Sequence, residues 1–186
     1  NVGAGCNPEE GYVNCDWVAA PGIDVVFNIM ERWPFEDSMA DEVKAFEVIE
    51  HLPNLIWFMD EAWRVLKPDG VLVVRTCPPF TNNAWRDPTH VRPYLPDSFR
   101  YFDPDSPYHR CGSLYTDKAW RFAGWGMVGG DAFFVRMTPR KAVAEKPQGV
   151  VRKINGDVKE LRGECNEYAK NGKDNVMKQE AASSSE

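Results

Sequence analysis

The chain has 186 residues, 43% of them hydrophobic, a net charge of −6 and five scattered cysteines. That length holds one domain with a real core and is short for two, and the acidic balance argues against broad electrostatic binding to nucleic acid or to an anionic membrane. No apolar run is long enough to span a bilayer, no signal-peptide pattern is present, and no pair of cysteines has the CxxC spacing of a zinc site or suggests a disulfide framework, so a reducing, cytoplasmic setting without a metal fits best.

Taken in order, Asn1-Val2 reads as the end of a strand, followed by the glycine turn Gly3-Ala4-Gly5. The absence of an initiating Met, together with this opening inside a strand, leads us to expect further sequence upstream. Tyr12 to Cys15 reads as a second strand ending in Asp16. Glycines at a strand end let the backbone approach a ligand, and an acid ending the next strand is placed to accept hydrogen bonds from two ribose hydroxyls. This points to a nucleoside-type cofactor at the carboxyl ends of parallel strands. Only about nine residues, Gly3 to Gly11, link the two strands, whereas a parallel crossover normally takes a dozen or more. The first helix is therefore expected to be one turn at most, or absent. A dinucleotide-binding GxGxxG needs a full helix at its third glycine, where this chain has Asn7 and Pro8.

Ile23 to Ile29 is a β-branched run that predicts a buried third strand, and Glu42 to Phe46 predicts a fourth. After Pro53-Asn54, the spacing of Leu55, Phe58, Met59, Ala62, Trp63 and Leu66 predicts an amphipathic helix over 55–66. Lys67-Pro68-Asp69-Gly70 turns the chain into a fifth strand, Val71 to Arg75, apolar enough to be buried on both faces. Residues 78–112 are rich in proline and aromatics and lack periodicity, with a short helix expected over Asp97 to Phe102; so long an irregular insertion is usually functional. Tyr115 to Ala123 reads as a helix, and Trp125 to Val128 with Ala132 to Met137 as a hairpin around Gly129-Gly130-Asp131. From Glu145 the chain is polar, with Tyr168 its sole aromatic, and is expected to be a disordered tail with a helical piece near 158–168. The fold class is α/β: a Rossmann-like, mostly parallel sheet with a terminal antiparallel hairpin, its first helix shortened or absent, spanning residues 1–144 ahead of the tail.

At this point the motifs resemble the class I S-adenosylmethionine-dependent methyltransferases, in the branch called methyltransferase type 11. Asn1-Val2-Gly3-Ala4-Gly5-Cys6 resembles the family's glycine motif, and Gly11 to Asp16 its second strand with the ribose-binding acid. Trp33 to Ser38 with Asp41-Glu42-Val43 resembles the link into strand four, and Val48-Ile49-Glu50-His51-Leu52 the exit from it. Ala62 to Leu72 resembles the helix-turn-strand signature. The resemblance covers residues 1 to 138. Two departures stand out: Asn7-Pro8 replaces the usual third glycine and first helix, and Asn28 replaces the common adenine-binding Asp. Asn can still accept from the adenine amino group through its carbonyl oxygen.

The resemblance implies S-adenosylmethionine as cofactor. Its cradle would be Gly3, Ala4 and Gly5 by backbone, Asp16 on the ribose, Trp17 beside the adenine, and Asn28 with Ile29 on the adenine edge. Phe46 and Glu47 would lie near the sulfonium, where a carboxylate could stabilise charge or contact substrate; His51 would support the cofactor loop. Methyl transfer also needs an aligned acceptor and, for a hydroxyl or amine, a base. His90, oriented by Asp87, is a candidate base in the insertion, which should roof the pocket; the alternative has Asp87 and Thr89 holding the loop's turns and His90 bonded to backbone. Arg86, Arg92 and Arg100 with Trp85, Tyr94, Tyr101 and Phe102 could bind an anionic or ring-bearing substrate or simply pack the insertion down. His109 reads as surface. The expected activity is methylation of a small molecule or glycan, with a non-catalytic binding module as the alternative. Nucleic-acid methylation is disfavoured by the acidic balance and by Phe46-Glu47-Val48-Ile49 where an Asn/Asp-Pro-Pro-Tyr type motif would stand. A nicotinamide-dependent dehydrogenase fails on the missing third glycine.

Overall fold

A computed structural model describes residues 1–141. The predicted tail and its helical piece lie outside the described residues. Among the described residues there are six strands: β1 (Cys15–Asp16), β2 (Val25–Val26), β3 (Ala40–Phe46), β4 (Leu66–Thr76), β5 (Trp120–Val128) and β6 (Ala132–Pro139). β3, β4, β6 and β5 lie side by side in that order, and β1 pairs with β2. Val2 joins the two groups, bridging Cys15 on one side and Ala45 on the other, both in parallel sense. β1 pairs with β2 and β3 with β4 in parallel, whereas β6 runs antiparallel to both β4 and β5. This is the expected mostly parallel α/β sheet with an antiparallel hairpin at one end.

The sole long helix among the described residues, α1 (Leu55–Val65), forms where the apolar period predicts it. Asn54 caps it, its Oδ1 accepting from Trp57 N at 3.1 Å, which satisfies one of the amides a helix start leaves bare. Its face of Phe58, Met59, Ala62 and Val65 is buried in the core. Leu66, the last residue of the predicted stripe, is buried too but begins β4, opposite Ala40. The register then jumps so that Val71 faces Glu42, and Lys67-Pro68-Asp69-Gly70 is accommodated as an irregularity in the ladder. Leu72, Val73 and Val74 are all buried, as a strand covered on both faces requires.

Two expectations are corrected and a third is refined. The third strand shrinks from 23–29 to Val25–Val26, and it is an edge rather than a buried strand, with Val26 51% exposed. The side chains on either side of it turn the backbone out of the ladder: Asp24 Oδ2 accepts from Asn14 N at 2.7 Å, and Asn28 Oδ1 from Met30 N at 3.0 Å. The helix predicted over Tyr115 to Ala123 is absent, because Trp120 to Ala123 belong to β5. There Trp120 is buried, Arg121 exposed and Phe122 half-buried, a two-residue alternation that the ladder with β6 imposes. The expected short helix over 97–102 is a helical turn, α3 (Pro96–Phe99), continued by a 3₁₀ turn at Arg100–Phe102. Two more single turns, α2 (Asn83–Arg86) and α4 (His109–Gly112), flank it. Tyr94, Phe99 and Phe102 of this segment are buried in the core, so they pack the insertion down, while Trp85 and Tyr101 remain exposed.

No helix forms between Gly5 and Cys15. Asn14 takes over its task of tying the loop together. Buried at 6% exposure, it accepts through Oδ1 from Asn1 Nδ2 at 2.9 Å and from Glu9 N at 2.8 Å. Its Nδ2 donates to Glu9 O at 3.0 Å. Its backbone carbonyl also accepts from Asp24 N at 2.7 Å, just before β2, and from Val25 N of β2 at 3.2 Å. A buried side-chain amide with its donor and acceptor both satisfied can hold a loop that has no ladder of its own.

Candidate active site

An open cavity of about 560 Å³ lies at the carboxyl ends of the parallel strands. That volume is in the range of sites for small-molecule ligands and cofactors. Its lining includes Gly3, Asp16, Trp17, Asn28, Ile29, Glu47 and His51, all of them singled out from the sequence. Phe27, Met30, Val48, Leu52, Pro53 and Thr89 complete much of the wall.

Gly3 has a φ of +67°, and a Cβ there would sit 2.4 Å from Val48 Cγ2. Both the left-handed backbone and the close approach to the β3 exit demand glycine. Gly5, with a φ of +52°, has open space around it; its amide donates to Asp16 Oδ2 at 2.8 Å. Asp16 Oδ1 accepts from Val18 N at 3.1 Å. The carboxylate is thus oriented by two backbone amides, and each oxygen keeps acceptor capacity for a further donor. Ala4 is buried behind the turn and does not line the cavity.

Asn28 shapes the wall opposite. Its Oδ1 already accepts from Met30 N, and its Nδ2 donates to Glu31 Oε1 at 3.2 Å, so it fixes the turn that presents Ile29 and Met30. Behind that turn stands an ionic brace. Glu61 Oε2 accepts from Trp33 N and from Arg64 Nη2, both at 2.8 Å. Arg64 also donates to the carbonyls of Trp33, at 3.0 Å, and Phe35, at 2.7 Å. Burial pushes the Glu61 carboxyl up, but the hydrogen bonds from Arg64 and Trp33 outweigh it and hold the group below its ordinary range.

Glu47 follows β3 with a φ of +55°, a left-handed conformation unusual for a residue with a side chain. Its amide donates to Arg75 O at 2.8 Å, and its carboxylate accepts from Arg75 Nε at 2.9 Å. Strain of this kind concentrates at functional sites. Phe46 is not among the lining residues; Lys44 Nζ and the Arg75 guanidinium lie 5.0 and 4.6 Å from its ring centroid.

The sequence reading pairs Asp87 with His90. The structure instead joins Asp87 to His51. Thr89 Oγ1 donates to Asp87 Oδ1 at 2.6 Å and lies 2.9 Å from His51 Nδ1. Because the hydroxyl's one proton goes to Asp87, His51 Nδ1 must be the donor to Thr89. That fixes the neutral tautomer and leaves His51 Nε2 as an acceptor. His90 does not line the cavity. Its Nδ1 pairs with Ala84 O at 3.1 Å, the backbone-bonded alternative, and its ring meets that of His51 edge-on at 4.7 Å. The sequence presents Thr89 only as a turn-holder, since its chemistry appears when residues 89 and 51 are brought together. Next to His51, Glu50 is fully buried, and burial, with the charge of Glu47 adding to it, pushes its carboxyl up to about 7.

Residues 5–74 match the family of methyltransferase domains. Over that stretch the chain is similar to this family. It is 29% identical, over 68% of its length, to a Mycolicibacterium smegmatis protein named "Probable S-adenosylmethionine-dependent methyltransferase". The chain spans about half the length of that relative, 51%. Among solved structures it is similar to an S-adenosylmethionine-dependent methyltransferase from Archaeoglobus fulgidus (TM-score 0.44, 14% identity, 62% of this chain and 67% of that one). It is also similar to a chain from the complex of the Haloferax volcanii Trm112 methyltransferase activator with a methyltransferase (TM-score 0.47, 11% identity, 66% and 64%). S-adenosylmethionine is the cofactor this family implies, and the donor set around the cavity fits it. A carboxylate with spare acceptor capacity faces the cavity, and glycine keeps the adjoining backbone bare. Among the described residues no helix is long and apolar enough to cross a membrane.

Proposed function

We propose that the chain transfers a methyl group from S-adenosylmethionine to a hydroxyl or amine of a small molecule or glycan. The observation that carries this reading is the convergence of Asp16, Gly3 and His51 on one cavity. S-adenosylmethionine supplies a methyl on a positively charged sulfur, so the protein has only to hold, align and deprotonate. Asp16 would accept from the ribose hydroxyls, with Phe27, Ile29, Met30 and Trp17 enclosing the adenine. Glu47, fixed by Arg75, would place negative charge near the sulfonium. The base would be His51 rather than His90: it faces the cavity, its Nε2 is the accepting nitrogen, and Thr89 and Asp87 hold its ring. The 78–112 insertion supplies Thr89 and acts as the cover.

A thermal titration tests the cofactor. S-adenosylhomocysteine at a hundred times its Kd should stabilise the fold by roughly 2.7 kcal/mol, and Asp16→Ala should remove the shift. No shift with either S-adenosylmethionine or its product at millimolar concentration sinks the reading. For the acceptor class, methyl label should pass to members of a panel of small phenols, amines and sugars. Label found only in added nucleic acid would overturn that part. His51→Ala should lose turnover while keeping the S-adenosylhomocysteine shift.

A further inference from the structure

Next to His51, outside the cavity lining, three side chains of metal-ligating type converge. Glu50, Cys77 and His90 each bring one ligand atom within 4.8 Å of the others. They come from three separate places: the 3₁₀ turn after β3, the residue after β4, and the cover. Glu50 and Cys77 are buried and His90 is half-buried. Neither oxygen of the Glu50 carboxyl has a hydrogen-bond partner, and the adjoining Thr76 Oγ1 is likewise buried without one. A buried carboxyl with both oxygens bare is costly unless a cation or a set of donors faces it.

We propose that Glu50, Cys77 and His90 bind one divalent transition-metal ion of the zinc class. The ligand types select the ion, because thiolate and imidazole favour zinc over magnesium or calcium, which prefer all-oxygen sets. His90 is already prepared for the role. Its Nδ1 donates to Ala84 O, the outer partner that metal-bound imidazoles usually have, and this leaves Nε2 as the ligating nitrogen. Three protein ligands leave a tetrahedral ion one further position. A second convergence, of His51, Asp87 and His90, is the weaker site, since Thr89 already bonds both His51 and Asp87. Two ligands of the proposed site belong to the sheet side and one to the 78–112 cover. The ion would therefore fasten that cover, and with it Thr89, beside the cavity. Spacing along the chain could not reveal this site, because its one cysteine has no CxxC partner. It stands independently of the methyl-transfer reading.

The test uses the full chain, stripped with chelator, reloaded with zinc and dialysed against metal-free buffer. Elemental analysis should find one equivalent of zinc retained. Loading with Co(II) instead should give thiolate-to-cobalt charge-transfer absorption. Cys77→Ser should abolish that band, while Cys6→Ser and Cys165→Ser keep it. His90→Gln, at a half-buried position that leaves the fold intact by far-UV circular dichroism, should weaken zinc at least tenfold in a chelator competition. No stoichiometric retention by the wild-type chain, a charge-transfer band that survives Cys77→Ser, or unchanged affinity in folded His90→Gln would overturn the proposal.

Discussion

β4 and β6 run 11 and 8 residues, while β1 and β2 run two residues each and the strand before them contributes Val2 alone. The long strands are held by ladders and by the core that Leu72, Val74, Val135 and Met137 share with α1. The short ones are held by side chains bonded to backbone: Asn14, Asp16, Asp24 and Asn28. A ladder fixes geometry through many equivalent bonds, so no one of them is critical. A turn-built region rests on a few specific residues, and two of these, Asp16 and Asn28, also line the cavity. Stability and ligand recognition thus sit on opposite sides of β3. The largest expected break is accordingly far from the ligand. Leu72→Ala, at a fully buried site in β4, should cost about 2–5 kcal/mol in denaturant unfolding. Below its transition, S-adenosylhomocysteine affinity should stay within about threefold of the wild-type chain, a ΔΔG of roughly 0.7 kcal/mol.

Gly3→Ala reverses the pattern. It forces a Cβ into Val48 and places alanine at a φ of +67°, so strain and overpacking together should cost about 2–4 kcal/mol. Relief by movement of Val48 would distort the cavity wall, and calorimetry should show ligand binding lost. Gly5→Ala meets open space and should cost only about 1–2 kcal/mol, from its left-handed backbone alone. Equal effects from the two substitutions would show that backbone conformation, rather than contact with Val48, makes the turn.

The same division explains what could be read from the sequence. α1, β3, β4 and the hairpin are legible because burial of one face imposes a period on their residues. Gly3 and Asp16 are legible because unusual backbone or chemistry is required at particular points in the chain order, and Asn28 and His51 come into view only through the family resemblance. Asn14 is not, since a buried Asn acting as a loop tie looks like any polar turn residue. Nor are the links of Thr89 to His51 and of Glu50 to Cys77, which arise from residues far apart in the chain. Tyr115 to Ala123 misleads because Trp120 and Phe122 fit a helical stripe as well as a strand, and only pairing with β6 decides.

The brace of Glu61 and Arg64 connects the two regions, and its pH dependence has a definite sign. The folded-state pKa of Glu61 is held below the ordinary value, so its contribution is present above the unfolded pKa and is lost as pH falls through the folded one. The exposed Asp37, lowered by its hydrogen bond from Arg64, acts in the same direction. The unfolding free energy should therefore fall with acid below about pH 4.5. Glu61→Gln should lower stability at neutral pH by about 1–3 kcal/mol and flatten that acid limb. An acid limb of unchanged slope in the variant would assign it to other carboxylates.

The smallest effect is expected at β2, and it sharpens the contrast most directly. Val26 is half exposed, and β2 pairs with β1 alone. Val26→Thr keeps the β-branched shape and exchanges one methyl for a hydroxyl that can reach water. Its cost in denaturant unfolding should stay within about 0.5 kcal/mol, as for surface sites remote from any special contact. The same exchange at Val74, fully buried in β4, leaves a hydroxyl to be satisfied in the core and should cost about 1–3 kcal/mol. If the two substitutions cost the same, β2 is part of the cooperative core, and the cofactor side of the sheet is held by packing as well as by its turns. If only Val74→Thr is costly, Asn14 and Asp24 carry the placement of β2. In that case Asp24→Ala, which leaves Asn14 N without its 2.7 Å partner, should weaken S-adenosylhomocysteine binding more than Val26→Thr does.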